Sequence, residues 1–160
     1  MDVPRGEADP LSTWVSQVTK GCFVHAAATG NAQGPLVLVV DDQPFFRAHL
    51  RNELARRGYT VVTAESAPDA EHLVEELGPP LVVILDLVLP GTPGAELLHH
   101  LALRKDADSL RFILVSAYPV LEQVAPNHRL VVARLGKPVD VSRLTEHLEV
   151  ASVALRDRGS

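Results

Sequence analysis

The sequence predicts an α/β fold, a three-layer sandwich in which a five-stranded parallel sheet lies between two layers of helices, five in all. Short apolar runs rich in β-branched residues recur five times, and four of them are continuous rather than alternating. Such runs are typical of strands that are covered on both faces, as in a parallel sheet. Amphipathic stretches separate the runs, and right-handed crossovers then distribute the helices over both faces.

Each predicted strand is a short, mostly apolar run, and the second is the most polar of them. Runs of this length are common for strands in globular domains. In chain order the predicted strands are residues 36–40, 59–63, 81–85, 112–115 and 130–133.

The first two helices are predicted from their apolar stripes and their ends. Phe46, Leu50 and Leu54 recur every four residues, which places them on one helical face. A basic last turn followed by Gly58 is typical of a helix end. Ser66 precedes the next amphipathic stretch as a cap, so we expect the second helix to begin there.

The remaining helices are predicted in the same way. Gly78 ends the second helix, and a leucine-rich stretch marks the third. Pro119 and Pro126 bracket a weaker stretch, so a helix between them would be short. Asp140 is the expected cap of the last helix, whose apolar positions continue to Leu155.

The composition excludes several functional classes. The 160 residues carry 15 basic and 20 acidic side chains, and this net charge of −5 argues against direct DNA binding. Cys22 is the only cysteine, so we expect neither an intrachain disulfide nor a thiolate zinc site. No apolar run is long enough to span a membrane, and the acidic start does not look like a secretory signal. We therefore expect a soluble, cytoplasmic protein without membrane insertion.

The pattern also predicts the domain organisation. Residues 35–156 contain all of the alternating strands and helices and have the size of one small domain, which a tail at residues 157–160 follows. Residues 1–34 form an N-terminal extension, which is either partly disordered or holds one short helix at about residues 10–20, anchored by Trp14. We expect no output domain, because the extension is too short and too weakly basic to bind DNA.

Four predicted strands are followed by residues that carry a charge or a hydroxyl group. Asp41 and Asp42 follow the first strand, Asp86 the third, Ser116 the fourth and Lys137 the last. In an open parallel sheet, the chemistry is found just beyond the carboxyl ends of the strands. Carboxylates that converge there repel one another, and a hard divalent cation such as Mg²⁺ relieves this repulsion.

Asp86 is the candidate nucleophile of this edge. A carboxylate can attack a phosphoryl group and form an acyl phosphate. Negative charge is then spread over the phosphoryl oxygens, which the ammonium of Lys137 and the hydroxyl of Ser116 are suited to hold. The small Ala117 leaves space beside them. Together these residue types indicate a phosphoryl-transfer site.

Four segments carry a resemblance to a known family: Val-Val-Asp-Asp ending at Asp42, Leu-Asp-Leu-Val-Leu-Pro-Gly around Asp86, Val-Ser-Ala around Ser116, and Lys-Pro at Lys137. Their functional residues are 44, 30 and 21 positions apart. In this order they resemble the receiver domain of two-component response regulators, over residues 35–156. The resemblance implies a flavodoxin-like, doubly wound sheet with strand order 2-1-3-4-5.

The resemblance also implies a metal site. Asp41, Asp42 and Asp86 would bind Mg²⁺, Asp42 most directly among the acidic pair. The backbone carbonyl of Val88 would be a further ligand. Val88 is apolar where polar residues are frequent in the family, so it cannot hold an attacking water, and we expect slow loss of phosphate.

The same resemblance assigns the phosphoryl chemistry. Asp86 would be the phosphoacceptor, and Ser116 and Lys137 would bind the phosphoryl oxygens. The peptide bond between Lys137 and Pro138 is usually cis in this family. Gly94 stands where the family uses a glycine beside the third helix.

The implied partners are proteins. A sensor histidine kinase or a histidine phosphotransfer protein would donate the phosphoryl group, and a downstream protein target would receive the signal. A homodimer is left open. The chain would not be an enzyme beyond self-catalysed phosphoryl transfer and slow autodephosphorylation, and it would serve as a switch, a phosphate sink or a relay.

Two alternatives compete with this interpretation. Arg134 stands where the family usually has a Tyr or Phe whose rotamer change is coupled to the Ser or Thr of the site. Tyr118, two residues after Ser116, is a candidate to take over part of that role. This departure favours a degenerate pseudo-receiver, an interaction module that is not phosphorylated. A phosphatase of the haloacid dehalogenase type is disfavoured, because Asp86-Leu87-Val88 lacks the second aspartate that would serve as acid and base.

Overall fold

The computed structural model describes residues 24–25, 35–117 and 128–159 of the chain. Its strands are β1 (Val24–His25), β2 (Leu36–Val40), β3 (Val61–Ala64), β4 (Leu81–Asp86), β5 (Leu110–Ser116) and β6 (Val131–Gly136). Its helices are α1 (Pro44–Arg56), α2 (Ala67–Leu77), α3 (Gly94–Ala102) and α4 (Val141–Gly159), and a 3₁₀ turn covers Ala107–Ser109.

The six described strands form one sheet in the order β1-β3-β2-β4-β5-β6. The five strands β2 to β6 are parallel to one another, and counted alone they have the predicted order 2-1-3-4-5. The chain leaves β2 toward β3 on one side and returns to β4 on the other. The strand order therefore reverses between β2 and β4, and such a reversal opens a crevice at the carboxyl ends of the strands.

Alternate residues of the buried strands pack on opposite faces of the sheet. In β2, Leu38 and Val40 join the apolar layer formed with α2 and α3. Val37 and Val39 join the layer formed with α1 and α4. Because both faces are covered, the strands are apolar at nearly every position, and each buried leucine or valine contributes roughly 1.5–3 kcal/mol. The predicted three-layer sandwich is confirmed.

The predicted helix ends match local hydrogen bonds. The Ser66 hydroxyl accepts a hydrogen bond from the Asp69 amide at 3.3 Å and caps α2. Asp140 Oδ1 accepts one from the Ser142 amide at 2.9 Å at the start of α4. Gly58, just after α1, has φ +94°, a conformation that favours glycine and lets the chain turn into β3.

The sheet also contains a strand that the sequence analysis did not predict. The short β1 pairs antiparallel with β3, with Val24 opposite Val62 and His25 opposite Val61. Two residues are too few to leave a recognisable pattern in the sequence, so this strand is defined by its pairing alone. The helix expected at about residues 10–20 lies outside the described residues.

Several boundaries differ from those predicted. The second parallel strand begins at Val61 rather than residue 59, because the Tyr59 amide donates to the Leu54 carbonyl at 3.1 Å and belongs to the end of α1. Four α-helices are described rather than five, since the stretch between Pro119 and Pro126 lies outside the described residues.

The last helix is longer than expected. It continues to Gly159, three residues past the predicted domain boundary at residue 156. None of the helices in the described parts of the chain has the length and apolar character needed to cross a membrane.

Candidate functional site

The carboxyl ends of β2, β4, β5 and β6 meet at one edge of the sheet and surround an open cavity of about 490 Å³. This edge contains the crevice where the strand order reverses. The residues that line the cavity are Asp42, Gln43, Asp86, Val88, Leu89, Pro90, Ser116, Ala117 and Lys137. The structure thus places the predicted Asp42, Asp86, Ser116 and Lys137 around one cavity.

The three aspartates of the site form one cluster. Asp41, Asp42 and Asp86 each have a carboxylate oxygen within 4.8 Å of the others. Asp41 is fully buried and Asp86 is 6% exposed, whereas Asp42 is open to solvent. Register explains the convergence, because Val40 at the end of β2 lies opposite Leu85, one residue before Asp86 in β4.

Lys137 lies between two of these carboxylates. Its Nζ donates to Asp41 Oδ2 at 2.7 Å and to Asp86 Oδ2 at 3.1 Å. The Lys137 amide also donates to the Ser116 carbonyl at 2.9 Å, which fixes the two residues side by side. The peptide bond between Lys137 and Pro138 is cis, as the resemblance implied.

Burial and charge act against each other in this cluster. Burial raises the pKa of the Asp41 carboxyl, in spite of the hydrogen bonds that it accepts from Lys137 and from the Gln43 amide. Burial alone would lower the pKa of Lys137, but its hydrogen bonds to Asp41 and Asp86 and their charges outweigh burial and raise it. The site thus holds negative charge in a poorly solvated place, where a cation is stabilised.

The loop after β4 is packed tightly against Asp86. The Val88 amide donates to Asp86 Oδ1 at 2.9 Å, which leaves the carboxylate held from both sides. Gly94 begins α3, and its amide donates to the Leu87 carbonyl at 3.0 Å. A Cβ atom at Gly94 would lie 2.3 Å from the backbone carbonyl oxygen of Asp86. Only glycine allows this approach of the helix to the strand end.

The donor set fits a magnesium ion. Three carboxylates and one ammonium give the cluster a formal charge of −2, and all of the acidic ligand atoms are hard oxygens. The ligand oxygens of the three carboxylates lie within 4.8 Å of one another, so they surround the same small volume. Asp41, Asp42 and Asp86 are the residues that would hold the ion, and Val88 lines the same cavity.

Three further residues support the site and were not expected from the sequence. The Gln43 amide donates to Asp41 Oδ1 at 2.8 Å. The Arg47 guanidinium donates to the Asp41 carbonyl at 2.6 Å and approaches Glu65 at 3.9 Å. The ring of Phe46 lies under Lys137, with Nζ 4.3 Å from the ring centroid. Phe46 was predicted as part of the apolar stripe of α1, and nothing in that stripe indicates its contact with Lys137.

The family model described as "Response regulator receiver domain" matches residues 37–149. The chain belongs to this family. The described site lies within the matched residues. Each of the four motif segments contributes residues to the lining of its cavity.

Similar proteins share this domain. The receiver is 34% identical over 115 residues to the sensor kinase CckA of Brucella abortus, a match that covers 71% of this chain and 11% of the kinase. It is 28% identical over 111 residues to sporulation initiation phosphotransferase F of Bacillus subtilis, which covers 69% of this chain and 87% of that protein. A solved receiver domain (CheY-like) from Methylobacillus flagellatus has 25% identity and a TM-score of 0.64, and the match covers 72% of this chain and 97% of the other.

The share of each relative's length that the chain covers differs widely. Besides the kinase, the transcriptional regulatory protein AruR of Pseudomonas aeruginosa is 42% identical over 79 residues, which is 47% of this chain and 32% of that regulator. The receiver therefore matches a small part of these two longer proteins and most of the phosphotransferase.

Two departures from the usual receiver pattern are visible in the structure. Arg134 lies on β6 with its side chain exposed, where the family was expected to have an aromatic residue. Val88 is 55% exposed at the rim of the cavity. Tyr118, considered as a substitute for the aromatic residue, lies outside the described residues.

Proposed function

We propose that this receiver domain accepts a phosphoryl group on Asp86 in a Mg²⁺-dependent reaction and acts as a response regulator in the cytoplasm. The donor would be a sensor histidine kinase or a histidine phosphotransfer protein. The observation that carries this proposal is the position of Asp86. Its side chain lines the cavity and accepts hydrogen bonds from Lys137 and from the Val88 amide in the loop after β4. Output would pass through protein contacts or through onward transfer of the phosphoryl group.

The proposed transfer step uses this geometry. A carboxylate oxygen of Asp86 attacks phosphorus and forms the O–P bond of an acyl phosphate. The N–P bond of the donor's phosphohistidine breaks, its electron pair stays on the imidazole nitrogen, and that nitrogen takes a proton from solvent. The residues around Asp86 contribute by positioning and by electrostatic stabilisation, which dominate in phosphoryl transfer.

Lys137 has two successive roles in this proposal. Before transfer, its ammonium offsets part of the negative charge of Asp41 and Asp86 through the hydrogen bonds at 2.7 and 3.1 Å. After transfer, the same ammonium would bind a phosphoryl oxygen, and the Ser116 hydroxyl, buried beside it, would bind another. A bound Mg²⁺, held by Asp41, Asp42, Asp86 and the Val88 carbonyl, would supply the remaining positive charge.

The relatives support phosphotransfer as the chemistry. One of them is called a phosphotransferase and another a sensor kinase, and both share the receiver over about 70% of this chain. We propose that this chain exchanges phosphoryl groups with a protein of the kinase or phosphotransfer class. Whether it relays the group or acts as a switch depends on the lifetime of its acyl phosphate.

The pseudo-receiver is retained as the second candidate because of one observation. Arg134 replaces the aromatic residue through which a receiver would couple its phosphoryl site to the surface. An interaction module would keep the fold and lose the reaction. Asp41 and Asp86 nevertheless remain in contact with Lys137, which favours a working site.

One experiment separates these candidates. The protein is incubated with Mg²⁺ and acetyl phosphate, and its intact mass is measured with and without EDTA. We expect a Mg²⁺-dependent gain of one phosphoryl group, about 80 Da, in the parent protein and in Asp157→Ala, a matched exposed aspartate on α4. Asp86→Ala should show no gain. No gain in the parent would support the pseudo-receiver, and multiple turnover of a phosphoester would support a phosphatase.

A further inference from the structure

The aromatic ring of Phe46 is the third partner of the Lys137 ammonium. Nζ lies 4.3 Å from the ring centroid, within the range of a cation–π interaction. The ring is half-buried and packs against the apolar layer between α1, α4 and the sheet. The Lys137 side chain is only 19% exposed, so the contact forms where water screens it weakly.

The three partners of Lys137 differ in whether they would also bind a metal ion. The carboxylates of Asp41 and Asp86, which hold the ammonium at 2.7 and 3.1 Å, belong to the acidic cluster that fits a divalent cation. A cation in that cluster competes with the ammonium for the same oxygens and repels it. The face of Phe46 is neutral and does not coordinate a hard cation, so its attraction for Lys137 persists when metal is bound.

The position of the ring is itself well determined. Phe46 lies in the first turn of α1, next to Arg47, whose guanidinium donates to the Asp41 carbonyl at 2.6 Å. The same guanidinium approaches Glu65 beyond the end of β3 at 3.9 Å. These contacts connect the start of α1 to the strand ends that form the cavity, so the ring faces Lys137 from a fixed element.

We propose that Phe46 is a positioning residue, which keeps the Lys137 ammonium at the cavity when a divalent cation occupies the aspartates. The inference rests on the proposed function, because the purpose of this position is to present the ammonium to a phosphoryl oxygen. Without the ring, the metal-bound site would leave Lys137 free to swing toward solvent, and the ammonium would be ordered only after the phosphoryl group arrives.

The kinetic test compares Phe46→Leu, which keeps an apolar side chain, with Phe46→Tyr, which keeps the ring. At saturating Mg²⁺, we expect acetyl phosphate to phosphorylate Phe46→Leu about fivefold more slowly than the parent, and Phe46→Tyr at nearly the parental rate. Phe45→Leu, at a neighbouring position that is 91% exposed, is the matched control and should react like the parent. A parental rate in Phe46→Leu, or equal losses in the Leu and Tyr variants, would overturn the inference.

A spectroscopic test does not depend on phosphorylation. The chain has three lysines, Lys20, Lys105 and Lys137, so the ε-methylene signals can be assigned by NMR after lysine-specific labelling. We expect an upfield ring-current shift at Lys137 that survives addition of Mg²⁺, persists in Phe46→Tyr and is lost in Phe46→Leu. Loss of the shift in the parent on adding Mg²⁺ would refute the positioning role. A parent that takes up no phosphoryl group but keeps this shift would refute the proposed function instead.

Discussion

Gly94 shows at the scale of one residue how the fold and the site depend on each other. A Cβ atom there would lie 2.3 Å from the carbonyl oxygen of Asp86 and 2.8 Å from Cα of Leu87. Both are backbone atoms, so they cannot move aside as the end of a flexible side chain can. An added methyl group must therefore push α3 away from the strand that ends in Asp86.

We predict that Gly94→Ala lowers the free energy of unfolding by about 1–3 kcal/mol and also weakens Mg²⁺ binding. Urea denaturation and a Mg²⁺ titration measure the two effects. Gly58→Ala is the control, because its positive φ of +94° makes an alanine costly through backbone strain rather than through a clash, and at a position outside the site. Gly58→Ala should lose stability and keep its Mg²⁺ affinity. Unchanged Mg²⁺ affinity in Gly94→Ala would show that the close approach does not shape the site.

A second prediction at this scale concerns Val88 and the lifetime of the proposed acyl phosphate. Its exposed side chain at the rim of the cavity offers no hydrogen bond to an attacking water. We predict that Val88→Asn loses its phosphate roughly tenfold faster than the parent, because an amide can orient that water. The decay of the phosphorylated mass over time measures this rate, with Val88→Leu as an apolar control. Equal or slower decay in Val88→Asn would contradict the prediction.

At the scale of the element, the start of α2 has the most clearly defined cap. The Ser66 hydroxyl accepts a hydrogen bond from the Asp69 amide at 3.3 Å, and the Asp69 carboxylate adds a favourable negative charge in the first turn. We predict that Ser66→Ala lowers the free energy of unfolding by about 1 kcal/mol, as measured in urea, and that Ser66→Asp retains most of it. Equal stability of the parent and Ser66→Ala would mean that the cap is not needed.

The elements themselves were largely predictable, and the reasons are local. Continuous apolar runs predicted β2, β4 and β5 because their residues are buried on both faces. The end of β6 was predicted too early, since Arg134 and Gly136 are not apolar and join the strand only by pairing with β5. The two-residue strand β1 was missed for the same reason, because its backbone pairing leaves no pattern in the sequence.

The site was predictable to the extent that strand ends determine it. Asp41, Asp42, Asp86, Ser116 and Lys137 follow strands, so topology alone brings them to one edge. The contact between Phe46 and Lys137 could not be predicted, because a half-buried aromatic in a helical stripe is normally explained by the core. Contacts between a side chain and the face of a ring depend on three-dimensional positions that periodicity does not contain.

At the scale of the whole molecule, the converging carboxylates connect stability to metal binding. An ion that binds only the folded state stabilises it, by about 1.4 kcal/mol at a concentration ten times Kd. We therefore predict that Mg²⁺ raises Tm by a few degrees and that EDTA reverses this. Asp42→Asn should be at least as stable as the parent without metal, because it relieves repulsion, and should lose the response to Mg²⁺.

Thermal denaturation with and without Mg²⁺ measures both effects. Asp157→Asn, which changes an exposed aspartate of α4, should respond to Mg²⁺ like the parent. An equal rise in Tm for Asp42→Asn and the parent would place the metal elsewhere. The proposed metal affinity would arise only because strands that are far apart in sequence end together, so it would be a property of the whole sheet.

The identity of the phosphorylated residue is the most direct test of the proposed phosphoryl transfer to Asp86. After incubation with Mg²⁺ and acetyl phosphate, borohydride reduces an acyl phosphate of aspartate to homoserine, and peptide mass spectrometry locates the change. We expect conversion of Asp86 alone, with Asp41 and Asp42 unmodified and no conversion in the presence of EDTA. Conversion at Asp41 or Asp42, or at no aspartate, would contradict the proposal.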